Sequence, residues 1–213
     1  MKCMKLVSII VTRSKSCHVK TLHSILKLNI KCLQNSVDNQ IIYVRDDPLD
    51  KIEIIERCMK KYERILFIDF GIGVDDASLN QCLEISDSSG CVVFPGVKDG
   101  INWEMFKEKV KSGSKEPVSQ MGLEFDTVLG NKTAPNFYKV VSTSAKVWVM
   151  IPKTIIKQIK PTKKGGWKLR PDMFRYFQEQ GVKMYAFSAS KLIQTHTHEC
   201  ISNIMNAASV KVN

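Results

Sequence analysis

Three aspartates crowd one short stretch, RILFIDFGIGVDDASL, from Arg64 to Leu79. Asp69 closes an apolar run and precedes two glycines. A carboxylate at the exit of a buried strand can meet a divalent ion and the diphosphate that the ion holds, because hard cations take oxygen ligands. Asp75 and Asp76 stand just before Ala-Ser-Leu, where capping a helix is the favoured role; Asp69 lies too early to cap that helix. Asp46 and Asp47, in YVRDDPLD, offer acceptors to a base or ribose, or equally start a turn at Pro48 and cap a helix from Asp50. His196 and His198 would share one face of a strand, where imidazoles can ligate a metal or contact phosphate, although a pair without a carboxylate is more often structural. Residues 153–170 hold seven basic side chains and no acidic one. Within them Lys163 and Lys164 precede Gly165-Gly166, as part of either a solvated basic face or a lid over a diphosphate leaving group. Trp167 beside that loop could stack on a sugar or anchor the loop. Asp172, in LRPDMF, could steady a helix N-terminus or act as a general base at a cleft mouth.

The elements that must hold these groups alternate through the first half. LVSIIV (6–11), QIIYVR (40–45), ILFID (65–69) and CVVFP (91–95) read as strands. Between them, Val19, Leu22, Ile25, Leu26, Ile30 and Leu33 recur at helical spacing. Ile52, Ile55, Cys58, Met59 and Tyr62 do the same, as do Leu79, Cys82 and Leu83. Such alternation predicts an α/β fold with a mostly parallel sheet covered on both faces. Ligands of these sheets lie beyond the carboxyl ends of the strands, where Thr12-Arg13, Asp46-Asp47 and Asp69 are found. Residues 96–136 read as a loop-rich insertion at the sheet edge around a helix at Trp103–Val110. FYKVVS and KVWVMI read as strands joined by a short turn at Thr143-Ser144-Ala145. PDMFRYFQEQG reads as a helix with Pro171 in its first turn and Gly181 past its end, followed by a strand, VKMYAF.

The 213 residues are 44% hydrophobic, enough for one α/β domain with a full core. A net charge of +11 points to a polyanionic partner: nucleic acid, an acidic membrane surface or a phosphorylated ligand. Seven cysteines with no C-x-x-C pair fit free thiols in a reducing compartment. The apolar run near the N-terminus is too short for a signal peptide, and no segment approaches the ~20 apolar residues of a membrane span. The expectation is a soluble, cytoplasmic protein.

Taken in order, these segments resemble the nucleotide-sugar-dependent glycosyltransferases of the GT-A fold. LVSIIVTRSKSCHVKTLHSIL is similar to the family's opening strand and helix, QIIYVRDDPLD to its second strand, and RILFIDFGIGVDDASLNQCLE to the strand, metal-binding D-x-D and helix. KVVSTSAKVWVMIPKTII resembles the acceptor-side strand pair, GGWKLRPDMFRYFQEQGVKMYAF the Gly–aromatic segment and E-D helix, and ASKLIQTHTHECIS the closing strand with its His. Two motifs depart from the pattern: Asp69-Phe70-Gly71 keeps one carboxylate of the D-x-D, and Pro171 replaces the acid before Asp172.

The resemblance implies a single GT-A-type, Rossmann-like domain over 1–213, with residues 1–95 holding the nucleotide sugar and 96–213 the acceptor. It implies Mn²⁺ or Mg²⁺ on Asp69, completed by Asp75, Asp76 or the C-terminal His198. Thr12, Arg13, Asp46, Lys163 and Lys164 would hold a UDP-sugar, Trp167 the acceptor, and Asp172 would be the base of an inverting transfer to a glycan or glycoprotein hydroxyl. Within the family the chain is similar to the glycosyltransferase domains of chlorella-virus capsid-glycan proteins, which implies a domain excised from a longer viral chain and no nucleic-acid partner. A nucleotidyltransferase would show a glycine-rich phosphate loop after the first strand, which VTRSKSCHVK lacks. A nucleic-acid-binding module would interleave aromatic residues with the basic run, and this sequence does not.

Overall fold

The computed structural model of the chain describes residues 3–161 and 166–194. Strand β1 (Met4–Thr12) sends Val7, Ile9 and Val11 into one core and Leu6 and Ile10 into another, the two-sided burial that a central strand requires. After it come α1 (Val19–Gln34), β2 (Val37–Arg45), α2 (Pro48–Met59), β3 (Arg64–Ile68), a short β4 (Ile72–Gly73), α3 (Asp76–Glu84) and β5 (Cys91–Phe94). Helix α4 (Trp103–Lys111), which buries none of its residues, leads to β6 (Thr127–Ala134), β7 (Phe137–Thr143) and β8 (Val147–Met150). The described chain ends with α5 (Pro152–Gln158), α6 (Met173–Glu179), β9 (Met184–Phe187) and β10 (Ile193–Gln194).

Eight strands form one mixed sheet in the order β2-β1-β3-β8-β5-β9-β7-β6. β1 lies parallel to β2 and β3, and β5 parallel to β9, while β8 runs antiparallel between β3 and β5. Each face of the sheet carries its own core. Residues of α2, α5 and α6 pack with Phe67, Val93 and Trp148 on one face. On the other face residues of α1 and α3 pack with Leu66, Phe94 and Val149. The aligned carboxyl ends of β1, β2 and β3 form the rim on which the charged groups collect.

The expected first-half elements are present, and the second half differs in detail. The expected strands Phe137–Thr143 and Val147–Met150 are present with a short connection, but they do not pair with each other: β8 inserts between β3 and β5, whereas β7 pairs with β6 and β9. The loop-rich 96–136 region contains the edge strand β6, and the basic run after Ile151 begins as a helix, α5. Helix α6 starts two residues later than expected, at Met173, so Pro171 precedes the cap instead of occupying the first turn. Gly181 lies just past the helix end with φ +73°, a left-handed conformation that glycine takes without steric cost.

Candidate active site

The carboxyl ends of three parallel strands bring Arg13, Asp46 and Asp69 to one rim. Arg13 follows β1 through a tight turn in which Ser14 and Lys15 both take positive φ and Ser16 N–H donates to the Arg13 carbonyl at 2.9 Å. Its Nε donates to Asp46 Oδ2 at 2.6 Å, and its guanidinium stands 5.0 Å from the centre of the Phe70 ring. Asp46 takes a second cation on its other oxygen, Lys51 Nζ at 2.5 Å. Burial pushes the Asp46 carboxyl up, but the bonds and charges of Lys51 and Arg13 outweigh it and hold the group below its ordinary range. Lys51 also lies 3.6 Å from Asp69 Oδ1, which accepts the Phe70 N–H at 2.9 Å. The result is a charge chain, Arg13–Asp46–Lys51–Asp69, spanning three strand ends and the first turns of α2.

The aspartate pairs divide their roles. Asp47 caps α2, accepting from Leu49 N–H at 2.9 Å and Asp50 N–H at 3.0 Å, with Pro48 in the first turn. That leaves Asp46 for the rim. Asp75 caps α3: Oδ1 accepts from Ser78 N–H at 3.1 Å, and Oδ2 from Ser78 Oγ at 2.6 Å and Lys191 N–H at 2.8 Å. Both of its oxygens are engaged in that cap. Asp76 pairs with Lys27 at 3.0 Å and Lys31 at 3.7 Å on α1. Thr12 spends its hydroxyl on the Val44 carbonyl, at 3.1 Å.

A cavity of about 400 Å³ opens beside Lys51 on the α2 face, floored by Phe67 and Trp148 and walled by Thr143–Ala145 and Pro171–Arg175. The two floor rings stack at 4.9 Å, and the edge of Phe174 meets Trp148 at 6.2 Å. Asp172 lines this cavity from the cap position of α6, exposed and making no side-chain cap bond. Trp167 is half-buried against the same core and does not line the cavity. Lys163, Lys164 and His198 lie outside the described residues.

Two charged residues that sequence reasoning passed over stand out in the structure. Lys51 joins the two expected carboxylates, but in the sequence it is one lysine among many and only the fold brings it to Asp69. Asp126, between Gly96 and β6, is 5% exposed. Its Oδ1 accepts from Gly96 N–H at 3.1 Å and Thr127 Oγ1 at 2.7 Å, and its Oδ2 has no hydrogen-bond partner among the described residues. A Cβ on Gly96 would sit 3.3 Å from that oxygen. The stretch GLEFD carries no periodicity to signal a buried carboxylate.

Among the described residues no group of three His, Cys, Asp or Glu side chains gathers as a ready metal shell. Asp69 is a single hard-oxygen donor, with Oδ2 outside any hydrogen bond among the described residues. That donor set fits a cation of the kind carried by one carboxylate together with substrate phosphates and water, and not an all-protein cage.

No protein-family model matches the sequence, and no curated protein sequence matches it significantly. Solved structures do match. A structure of GalNAc-T7 with UDP, GalNAc and Mn²⁺ aligns with 92% of this chain at a TM-score of 0.52 and 12% identity. The chain has the GT-A fold. It spans 45% of the GalNAc-T7 chain. A Drosophila β-1,4-galactosyltransferase 7 with manganese, UDP-Gal and xylobiose gives a TM-score of 0.47, 11% identity and cover of 91% of this chain and 71% of that one. S. aureus TarS gives 0.44, 13%, 97% and 65%. In a GT-A sheet the rim at the ends of β1–β3 is the crevice outside the carboxyl ends of the strands, the ligand position general to open α/β sheets.

Proposed function

We propose that this chain is a glycosyltransferase that moves a sugar from a UDP-sugar to a hydroxyl of a glycan acceptor. The observation that carries the reading is the charge chain Arg13–Asp46–Lys51–Asp69, set at the strand ends of a GT-A sheet and opening onto a cavity that also holds Asp172.

In this reading Asp46 accepts hydrogen bonds from the ribose or base, with Arg13 swinging from Asp46 toward the phosphates. Lys51, held between two carboxylates, turns its ammonium to the diphosphate. Asp69 would hold a divalent cation, Mn²⁺ or Mg²⁺, which when bound supplies Lewis-acid stabilisation of the leaving diphosphate. Lys51 and Arg13 offset the same developing charge with their own positive groups. The acceptor sits over Phe67 and Trp148, and Asp172 takes the proton from its hydroxyl. The acceptor oxygen then bonds to the anomeric carbon as the bond from that carbon to the phosphate oxygen breaks. UDP leaves on the opposite face, and the sugar carbon inverts. Trp167, half-buried against the same core, would orient the acceptor, and Lys163 and Lys164 would offset charge on the leaving diphosphate. The resemblance to chlorella-virus capsid-glycan domains supports a capsid glycoprotein as acceptor and the host cytoplasm as the setting.

The test is a calorimetric titration of UDP-sugars, with and without Mn²⁺, into the parent, Asp69→Ala and Lys51→Met. The parent should bind more tightly with Mn²⁺, and Asp69→Ala should lose that dependence. Lys51→Met should weaken binding about tenfold or more under both conditions, the size of one lost charged hydrogen bond. Absence of binding by the parent to any sugar nucleotide overturns the reading.

A further inference from the structure

Helix α1 shows more of its apolar side chains to solvent than to the core. Thr21, Ser24, Ile25, Leu28 and Cys32 face the sheet. Val19, Leu22, Leu26, Ile30 and Leu33 point away from it, with exposures from 42% at Leu22 to 80% at Leu33. On a helix of about 3.6 residues per turn these five form one unbroken stripe over the full length of α1. An ordinary covering helix carries polar residues there, and a contiguous patch of large apolar groups marks a contact surface.

The borders of the stripe define what it can contact. Lys20, His23, Lys27 and Lys31 flank it toward α3, and α1 contains no acidic residue. Lys27 and Lys31 share the single carboxylate of Asp76, so the flank keeps a positive excess. On the other border lies the sheet edge β2, where Tyr43 is 54% exposed on the same side of the sheet as Asn39, which bonds Asn29 of α1. A row of Leu, Ile and Val between lysines and a tyrosine is the pattern of a helix lying in the plane of a lipid interface. The apolar groups enter the acyl boundary while lysine ammoniums and the phenol hydroxyl stay at headgroup level. A second copy would meet the stripe with the same unbalanced positive flank. An anionic headgroup layer complements it, and a net charge of +11 adds attraction at longer range.

We propose that the outward face of α1 docks the protein peripherally on a bilayer surface containing anionic phospholipid. This does not depend on the sugar-transfer reading.

The experiment is co-sedimentation of the full chain with phosphatidylcholine–phosphatidylserine vesicles and with phosphatidylcholine vesicles. The parent and Leu22→Glu/Leu26→Glu are compared, with circular dichroism as the fold check, since both positions face outward. The parent should sediment with the mixed vesicles and weakly with the neutral ones, and the double variant should lose about tenfold or more of its vesicle affinity. A parent that ignores both vesicles overturns the proposal. Equal binding by the variant also overturns it, since attraction would then reside in net charge alone. A parent dimer that the substitutions dissolve, without vesicle binding, assigns the face to a second copy instead.

Discussion

At the scale of single residues, Asp46 and Asp126 are held in opposite ways. Asp46 has a cation on each oxygen, whereas Asp126 is buried with one oxygen unpartnered among the described residues. Burial pushes the Asp126 carboxyl up, and the bonds from Thr127 and Gly96 and the charge of Lys146 do not prevail against it. A carboxyl whose folded pKa is raised favours the folded state while protonated. It withdraws that stability as pH climbs from the unfolded value, about 4, through the folded one. Asp126→Asn keeps the Oδ1 acceptor and has no charge to bury. The melting temperature of the variant relative to the parent should therefore rise between pH 4 and pH 7. A difference that stays flat with pH would mean that Asp126 ionises in its ordinary range. The placement of Asp46 and Asp69 at one rim was legible in the sequence because each follows an apolar run that ends a strand. Lys51 and Asp126 were not, because their roles come from contacts across strands that no local pattern records.

At the scale of elements, the first half was legible because each strand is a short apolar run and each helix repeats its apolar residues every three or four positions. The periodicity gave α1 correctly but not its orientation: of the six residues that defined it, only Ile25 is buried. Two apolar stripes coexist on that helix, and the weaker one, with Thr21 and Ser24, faces the core because those hydroxyls bond the Ile72 and Val74 carbonyls beside β4. The strands β7 and β8 were legible for the same reason as those of the first half, but their partners were not, since a four-residue buried strand carries no mark of its neighbours. Arg64 shows how much a strand end can contribute. Buried at the start of β3, it donates to the carbonyls of Cys82, Leu83 and Ile85, terminal acceptors of α3 that have no partner within the helix. Arg64→Met preserves apolar volume and abandons those acceptors. It should cost about 3 kcal/mol, read as a lower urea midpoint at unchanged slope. A loss under about 0.5 kcal/mol, the level of an ordinary surface change, would show that the carbonyls find other partners.

At the scale of the whole molecule, the donor and acceptor halves expected from the sequence are not separable layers of the sheet. β8 belongs to the second half of the chain, yet it is the shared neighbour of β3 and β5 from the first, with Val147–Met150 in register against both. Its Trp148 stacks on Phe67 of β3 and meets Phe174 beside Asp172, so one side chain joins the core beneath both halves of the site. A fragment of residues 1–95 would keep β3 and β5 but lose the strand between them, exposing two fully buried strands along their inner edges. The halves should therefore unfold together. In Trp103→Phe/Trp167→Phe, where Trp148 is the remaining indole, fluorescence should report insertion of β8, while far-UV circular dichroism reports the helices on both faces. Urea transitions by the two probes should coincide in midpoint and slope. An earlier fluorescence transition would mean that β8 leaves the sheet while the β1–α3 half stays folded. Under the proposed sugar-transfer function, UDP-sugar binding would then survive conditions that abolish transfer, because the rim at the ends of β1–β3 would outlast the cavity that β8 floors.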